Sequence, residues 1–161
     1  EKVMALTRES SAIWGTQGIH PHEANHYNTD VEEMIRANAQ NPRILAIGEI
    51  GLDYYYDHVD RSIQRNAFER QLELAAELDL PVVIHSRDAD KDTQDILQSY
   101  SGRLPRKGVI HSFTSSRALA EYCLSEGFFL GFNGILIYHA RHFKLITDTS
   151  FRWWTCCLFI I

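Results

Sequence analysis

Hydrophobic and polar positions along the chain alternate between two patterns. Short apolar runs end in a polar residue and a loop, and stretches with apolar residues at helical spacing separate them. The first run extends from Ala12 to Ile19 and stops at His20. The second covers Ile44 to Gly48 and stops at Glu49. Pro81 to Ile84 leads to His85, Gly108 to Ile110 leads to His111, and Phe128 to Phe132 leads to Asn133-Gly134. Between the runs, Asp30 and Glu33 form a capping-box-like start, with Val31, Met34 and Ile35 as an apolar stripe and Asn41-Pro42 as a stop. Ile63, Ala67, Phe68, Leu72, Leu74, Ala75 and Leu78 fall at helical spacing from Arg61 to Asp79, and Pro81 closes that helix. A further helix is predicted from about Lys91 to Tyr100. Another starts near Ser116, with Gly127 past its C-terminus.

Strands apolar on both faces and alternating with helices imply a parallel sheet covered by helices. The strand ends recur roughly 26 to 36 residues apart, close to the ~31 that a (β/α)8 barrel of ~250 residues spends on each unit. The expectation is an α/β fold: an incomplete (β/α)8 TIM barrel with about five parallel strands, the second to the sixth. The chain enters in the helix before the second strand. A polar residue at the C-terminal end of a barrel strand faces the active site. Four successive runs end in His20, Glu49, His85 and His111.

Composition changes this picture little. The 161 residues suffice for one domain, and 45% apolar with 23% charged residues is ordinary for a globular protein. The formal net charge of -5 offers no global basic field, so a nucleic-acid partner would have to be met by local cations, Arg, Lys or a bound metal. Cys123, Cys156 and Cys157 form no C-x-x-C pair and no even framework, which points to a reducing compartment without disulfides. The opening residues carry no signal-peptide pattern, so none is expected. The terminal run RWWTCCLFII is too short to span a bilayer, which takes ~20 residues, and reads as a buried segment or an aberrant end.

Three imidazoles and a carboxylate converging on one rim would suit zinc, manganese and similar ions, and carboxylate-rich sites shade toward magnesium. A metal held there would polarise a phosphoryl or carbonyl oxygen and activate water. Taken singly, each histidine could equally be a hydrogen-bonded core residue, and Glu49 a buried acid paired to a cation.

Six motifs in order carry a more specific signal: Gly18-Ile19-His20-Pro21-His22, the run Ala46 to Tyr54, the stretch RSIQRNAFERQ from Arg61 to Gln71, the run Leu80 to Ala89, Val109 to Thr114, and Gly127-Phe128 with Gly131 to Gly134. Together they resemble the TatD family, divalent-metal phosphoesterases, mostly DNases, of the amidohydrolase-like barrel superfamily. The resemblance implies that Glu49 bridges or shares two metals and that His85 and His111 are metal ligands. It implies that His20 contacts the scissile phosphate and assists the reaction. It further implies a DNA substrate and divalent ions, magnesium first with zinc or manganese as alternatives, two in the complete site. Arg87 is either a phosphate-gripping guanidinium or a salt-bridge partner of Asp88, Asp90 or Asp53. Asp53 is expected to fix the loop after Glu49 rather than to bind metal. Tyr54, Tyr55 and Tyr56 either stack on bases or plug the loop. His22, His26, His58, His139 and His142 are assigned to loops or surface.

Two family motifs are missing. The His-x-His of the first strand is absent, and the Glu-Thr-Asp-x-Pro motif has only Asp148 as a counterpart, about 14 residues past Gly134. The expectation is a partial barrel over residues 1–138 and a divergent tail over 139–161, truncated at both ends. Alternative functions are a metal-dependent amide or ester hydrolase on the same kind of barrel, or an inactive fragment. The expected location is cytoplasmic, or nuclear in a eukaryote, with no membrane association.

Overall fold

A computed structural model describes residues 2–133 and the strand at 156–158. His139, His142 and Asp148 lie outside the described residues. Helix α1 (Lys2–Glu9) precedes strand β1 (Gly15–Gln17), a 3-10 turn (Pro21–His26) and helix α2 (Thr29–Asn38). Strand β2 (Ile44–Asp53), helix α3 (Arg61–Glu77), strand β3 (Val82–Arg87) and helix α4 (Asp90–Tyr100) follow. Strand β4 (Gly108–Ile110), helix α5 (Arg117–Ser125), strand β5 (Phe129–Phe132) and strand β6 (Cys156–Leu158) complete the order.

The six strands form one sheet in the order β1-β2-β3-β4-β5-β6, and every neighbouring pair is parallel. Strictly sequential order is what a barrel wall requires; a doubly wound sheet reverses direction at a switch point. The five strands that the apolar runs predict are all present. β6 comes from the final segment and extends the sheet by pairing Leu130 with Cys156.

Local chemistry sets the helix limits. Asn28, not Asp30, caps α2: its side chain accepts the Val31 N–H at 3.0 Å, and Asp30 falls in the first turn, where the helix dipole favours an acid. Asp60 caps α3 through the Ser62 N–H at 2.8 Å, and Ser116 caps α5 through Leu119. Gly127 follows α5 at φ +87, the left-handed position that closes helices.

Strands β2 and β3 run past the ends that the hydrophobic pattern marks. β2 continues beyond Glu49 to Asp53 because Ile50 to Asp53 keep pairing with Ile84 to Arg87. Glu49 therefore sits inside the strand, at a register shift between Gly48 and Ile50, where a bulge turns its side chain away from the regular alternation. His85 likewise lies within β3 rather than after it. Gly51 has φ +130, and a Cβ there would meet the His85 carbonyl oxygen at 2.0 Å, so only glycine lets β2 approach β3 so closely at this level.

The core lies between sheet and helices. Phe68 and Leu72 of α3 are fully buried with Ile47, Ile50, Val82 and Ile84 of the strands. Each such side chain contributes roughly 1.5–3 kcal/mol by leaving water. β3 alternates cleanly: Val82, Ile84 and Ser86 are buried, while Val83, His85 and Arg87 are half-exposed on the other face. That second face carries the candidate chemistry. Among the described residues no helix is long and apolar enough to cross a membrane.

Candidate metal centre

His20, Glu49 and His85 come together. One ligand-type atom from each lies within 4.8 Å of the other two, a span that small rotations close onto one ion with ~2.1 Å bonds. All three are partly open to solvent. Glu49 Oε1 is 3.3 Å from His85 Nδ1, and the His20 and His85 rings are 4.7 Å apart. His111 directly follows β4, where its N–H donates to the Ile84 carbonyl at 2.7 Å. It stands outside the trio, yet near enough for its charge to act on Glu49.

Asp53 organises the centre from beneath. Its side chain is wholly buried, and its Oδ2 lies 2.9 Å from both His22 Nε2 and His85 Nε2. Its Oδ1 accepts the N–H groups of Tyr55 at 3.1 Å and Tyr56 at 3.0 Å. Asp53 thus fixes the loop after β2, and it also orients two imidazoles. A carboxylate behind a ligand histidine sets that ring's tautomer and angle. His22, which the sequence pattern leaves on a loop, belongs to this network; it packs 4.4 Å from the His20 ring. His26 and His58 are exposed.

Two glutamines of α3 hold the backbone that carries these residues. Gln64 accepts the Asp53 N–H at 2.8 Å and donates to the carbonyls of Asp53 at 3.1 Å and Val59 at 2.8 Å. Gln71 accepts the Ile19 N–H at 2.7 Å and donates to the Ile19 carbonyl at 3.1 Å. Both are buried. Their signal in the sequence is faint but real: two amides seven residues apart on the apolar stripe of a helix, where unpaired polar groups are costly.

Electrostatics separates the histidines. Burial, reinforced by the charge of His85, pushes the His20 pKa down to about 4, so His20 is neutral. Its Nδ1 accepts the His22 N–H at 3.2 Å, which places the ring proton on Nε2. An imidazole so fixed offers its Nε2–H as a hydrogen-bond donor; as a ligand through Nε2 it would have to give up the His22 bond. His85 differs. Burial disfavours its charged form, but hydrogen bonds and charges from Glu49 and Asp53 outweigh that and raise its pKa. When neutral, with Nε2–H held by Asp53, it leaves the Nδ1 lone pair facing Glu49. Burial likewise opposes ionisation of Glu49 and Asp53. The hydrogen bond and charge of His85 carry Glu49 below the usual carboxylate range; the Tyr56 N–H, His22 and His85 do so for Asp53.

Arg87, at the end of β3, lies 4.0 Å from the Tyr55 ring centre and 4.9 Å from that of Tyr56. Among the described residues it forms no ion pair with Asp53, Asp88 or Asp90.

A sequential parallel βα sheet with a histidine–carboxylate cluster on its half-open face defines part of a TIM-barrel-type wall. The chain belongs to the TatD-related DNase family, whose model matches residues 1–149. Relatives named 3'-5' ssDNA/RNA exonuclease TatD include one from Enterobacter lignolyticus, 37% identical over 134 residues. That match takes in 83% of this chain and 51% of the relative. The relative of the same name from Escherichia coli K12 is 34% identical over 145 residues, 90% of this chain and 55% of that protein. The chain spans about half the length of the curated relatives it matches. The crystal structure of YJJV, a TatD homolog from Escherichia coli K12, superposes with a TM-score of 0.86 at 26% identity. It covers 96% of this chain and 60% of that one. A TatD family hydrolase from Entamoeba histolytica shares the fold, with a TM-score of 0.78 at 22% identity over 91% of this chain and 50% of that one.

Proposed function

We propose that this chain carries the centre of a divalent-metal-dependent nuclease that hydrolyses phosphodiester bonds of DNA, with single strands as substrate. The observation that carries the proposal is the grouping of Glu49 and His85, both tied to the buried network of Asp53, with a neutral His20 beside them. The donor set fits a divalent cation. Glu49 Oε1 and His85 Nδ1 are the proposed ligands, and His111 joins them by its place after the next strand. Imidazole with carboxylate matches manganese or zinc more closely than magnesium, which favours oxygen-rich sites. When bound, such a cation supplies Lewis acidity and lowers the pKa of water to make a nucleophile.

The remaining roles fall to the chain's own side chains. His20 donates from Nε2 to a non-bridging phosphate oxygen, where negative charge builds up as phosphorus is attacked. Asp53 holds His85 in the tautomer that leaves Nδ1 free. Arg87 supplies the local cation that a chain of net charge -5 needs at its substrate rim. The names of the relatives support nucleic acid over amide substrates, and buried, free Cys123 is consistent with the proposed cytoplasmic place of action.

The test is to incubate residues 1–161 with an end-labelled single-stranded oligonucleotide across a manganese, zinc and magnesium series. Cleavage should require metal and vanish in Glu49→Gln. Metal uptake with no cleavage, or equal cleavage by Glu49→Gln, would reject the proposal.

A further inference from the structure

Tyr54, Tyr55 and Tyr56 are consecutive, but the fold uses them differently. Tyr54 is half-buried; its hydroxyl donates to Asp92 at 2.6 Å, and the Arg61 guanidinium covers its ring at 4.4 Å. It is the plug of the loop. Tyr55 and Tyr56 are left in water, 58% and 49% exposed. Two adjacent exposed aromatic rings gain nothing from burial in the core, and their backbone is nevertheless pinned to Asp53.

Their surroundings form an aromatic series leading to the centre. His58 stacks on Tyr56 at 5.6 Å with an interplanar angle of 11°. Tyr56 lies 5.3 Å from the His22 ring, His22 lies 4.4 Å from His20, and His20 lies 4.7 Å from His85. Arg87 covers both Tyr55 and Tyr56. Because one buried carboxylate, Asp53, holds both the loop amides and the His85 ring, the exposed rings keep a set distance from the ligand atoms.

We propose that Tyr55, Tyr56 and Arg87 form a stacking subsite for an unpaired nucleic-acid base beside the scissile phosphate, and so select single strands. The inference rests on the nuclease reading above. An aromatic face accepts any base, because every base has a π-face, but in a duplex that face is covered by its neighbours and its edge is paired. An arginine over tyrosine rings adds cation–π attraction. Among the described residues it has no ion pair, so its N–H donors remain for the backbone phosphate.

The experiment uses the whole chain without added metal and a 5'-fluorescein oligothymidylate, read by fluorescence anisotropy. The double variant Tyr55→Ala/Tyr56→Ala should bind about 5- to 150-fold more weakly. Tyr55→Phe/Tyr56→Phe, which keeps both rings, should bind like the wild type. An oligomer of abasic residues should bind wild type and the alanine variant alike. Arg87→Gln should lower the slope of log affinity against log salt by about 1. Equal binding of wild type and the alanine variant overturns the subsite, as does failure of the wild type to bind the oligomer. An equal loss on a blunt duplex overturns the selection of single strands. Metal-dependent cleavage, measured separately, tests the nuclease reading: ring-dependent binding without cleavage supports the subsite and rejects the nuclease.

Discussion

The β2–β3 rim and the β4 rim hold their site residues by different means. On the first, Glu49, Asp53 and His85 are joined by side-chain contacts of 3.3 and 2.9 Å, and buried Gln64 clamps the Asp53 backbone behind them. β2 has ten residues and β3 six, paired along Ile47 to Asp53. On the second, β4 has three residues, and His111 is placed by its main chain, through the Ile84 carbonyl. The difference teaches that four polar residues after four apolar runs are not equivalent. A long strand pair can bury a carboxylate and organise side chains around it; a short strand can set only the position of the backbone.

The largest test of this contrast is Asp53→Ala. It would leave two imidazoles and two amides without their shared acceptor in a buried place, and should destabilise the chain by roughly 3–5 kcal/mol. His111→Ala should cost much less. Urea unfolding of both checks this, and comparable losses would erase the distinction between the two rims.

Metal affinity is the next test. Glu49→Gln removes the carboxylate of the trio and should weaken manganese or zinc binding by more than the 10- to 100-fold typical of losing an outer-shell partner. His111→Ala should weaken it by about tenfold or less. Calorimetric titration of the two variants ranks them; a reversed order would show that the ion sits toward β4.

The smallest effect is in the pH dependence of the metal-free chain. The His20 pKa is about 4 in the folded state against an ordinary 6.5. The unfolded chain therefore takes up this proton first, so the favourable contribution is present above about 6.5 and is lost as pH falls toward 4. His85 runs the other way: its pKa is raised, so its contribution is present below about 6.5 and is lost as pH rises through the higher folded value. Comparing wild type with His20→Asn isolates the first effect. The variant should lose less stability between pH 6.5 and 4.5, and parallel curves would refute the neutral assignment of His20.

Much of this was legible in the chain. The apolar runs marked the first five strands in order, and the helical stripes of α3 and α5 lie where Phe68, Leu72, Leu119 and Cys123 are buried. The motifs from Gly18 to Gly134 resembled the family to which the chain belongs. Less legible were the ends of β2 and β3, since an apolar run stops at the first charge while a ladder continues as long as a partner strand is there to pair. His22 was not legible as a site residue, and the two glutamines of α3 were legible only as amides on an apolar stripe. A histidine in a loop, or an amide on a stripe, has no periodicity of its own to announce its partner.

What the sequence determined by itself is therefore what depends on neighbours along the chain: strand and helix order, parallel architecture, and which residue types are offered near the strand ends. Tertiary structure alone decided which of those residues act together. Asp53 reaches His22 and His85 across 31 and 32 positions of sequence, Gln71 reaches Ile19 across 52, and Arg87 meets Tyr55 only because β2 and β3 pair at Asp53 and Arg87. The physical reason is that hydrophobic periodicity encodes a face, whereas a buried carboxylate is satisfied only by whichever donors the folded sheet brings within 3 Å of it.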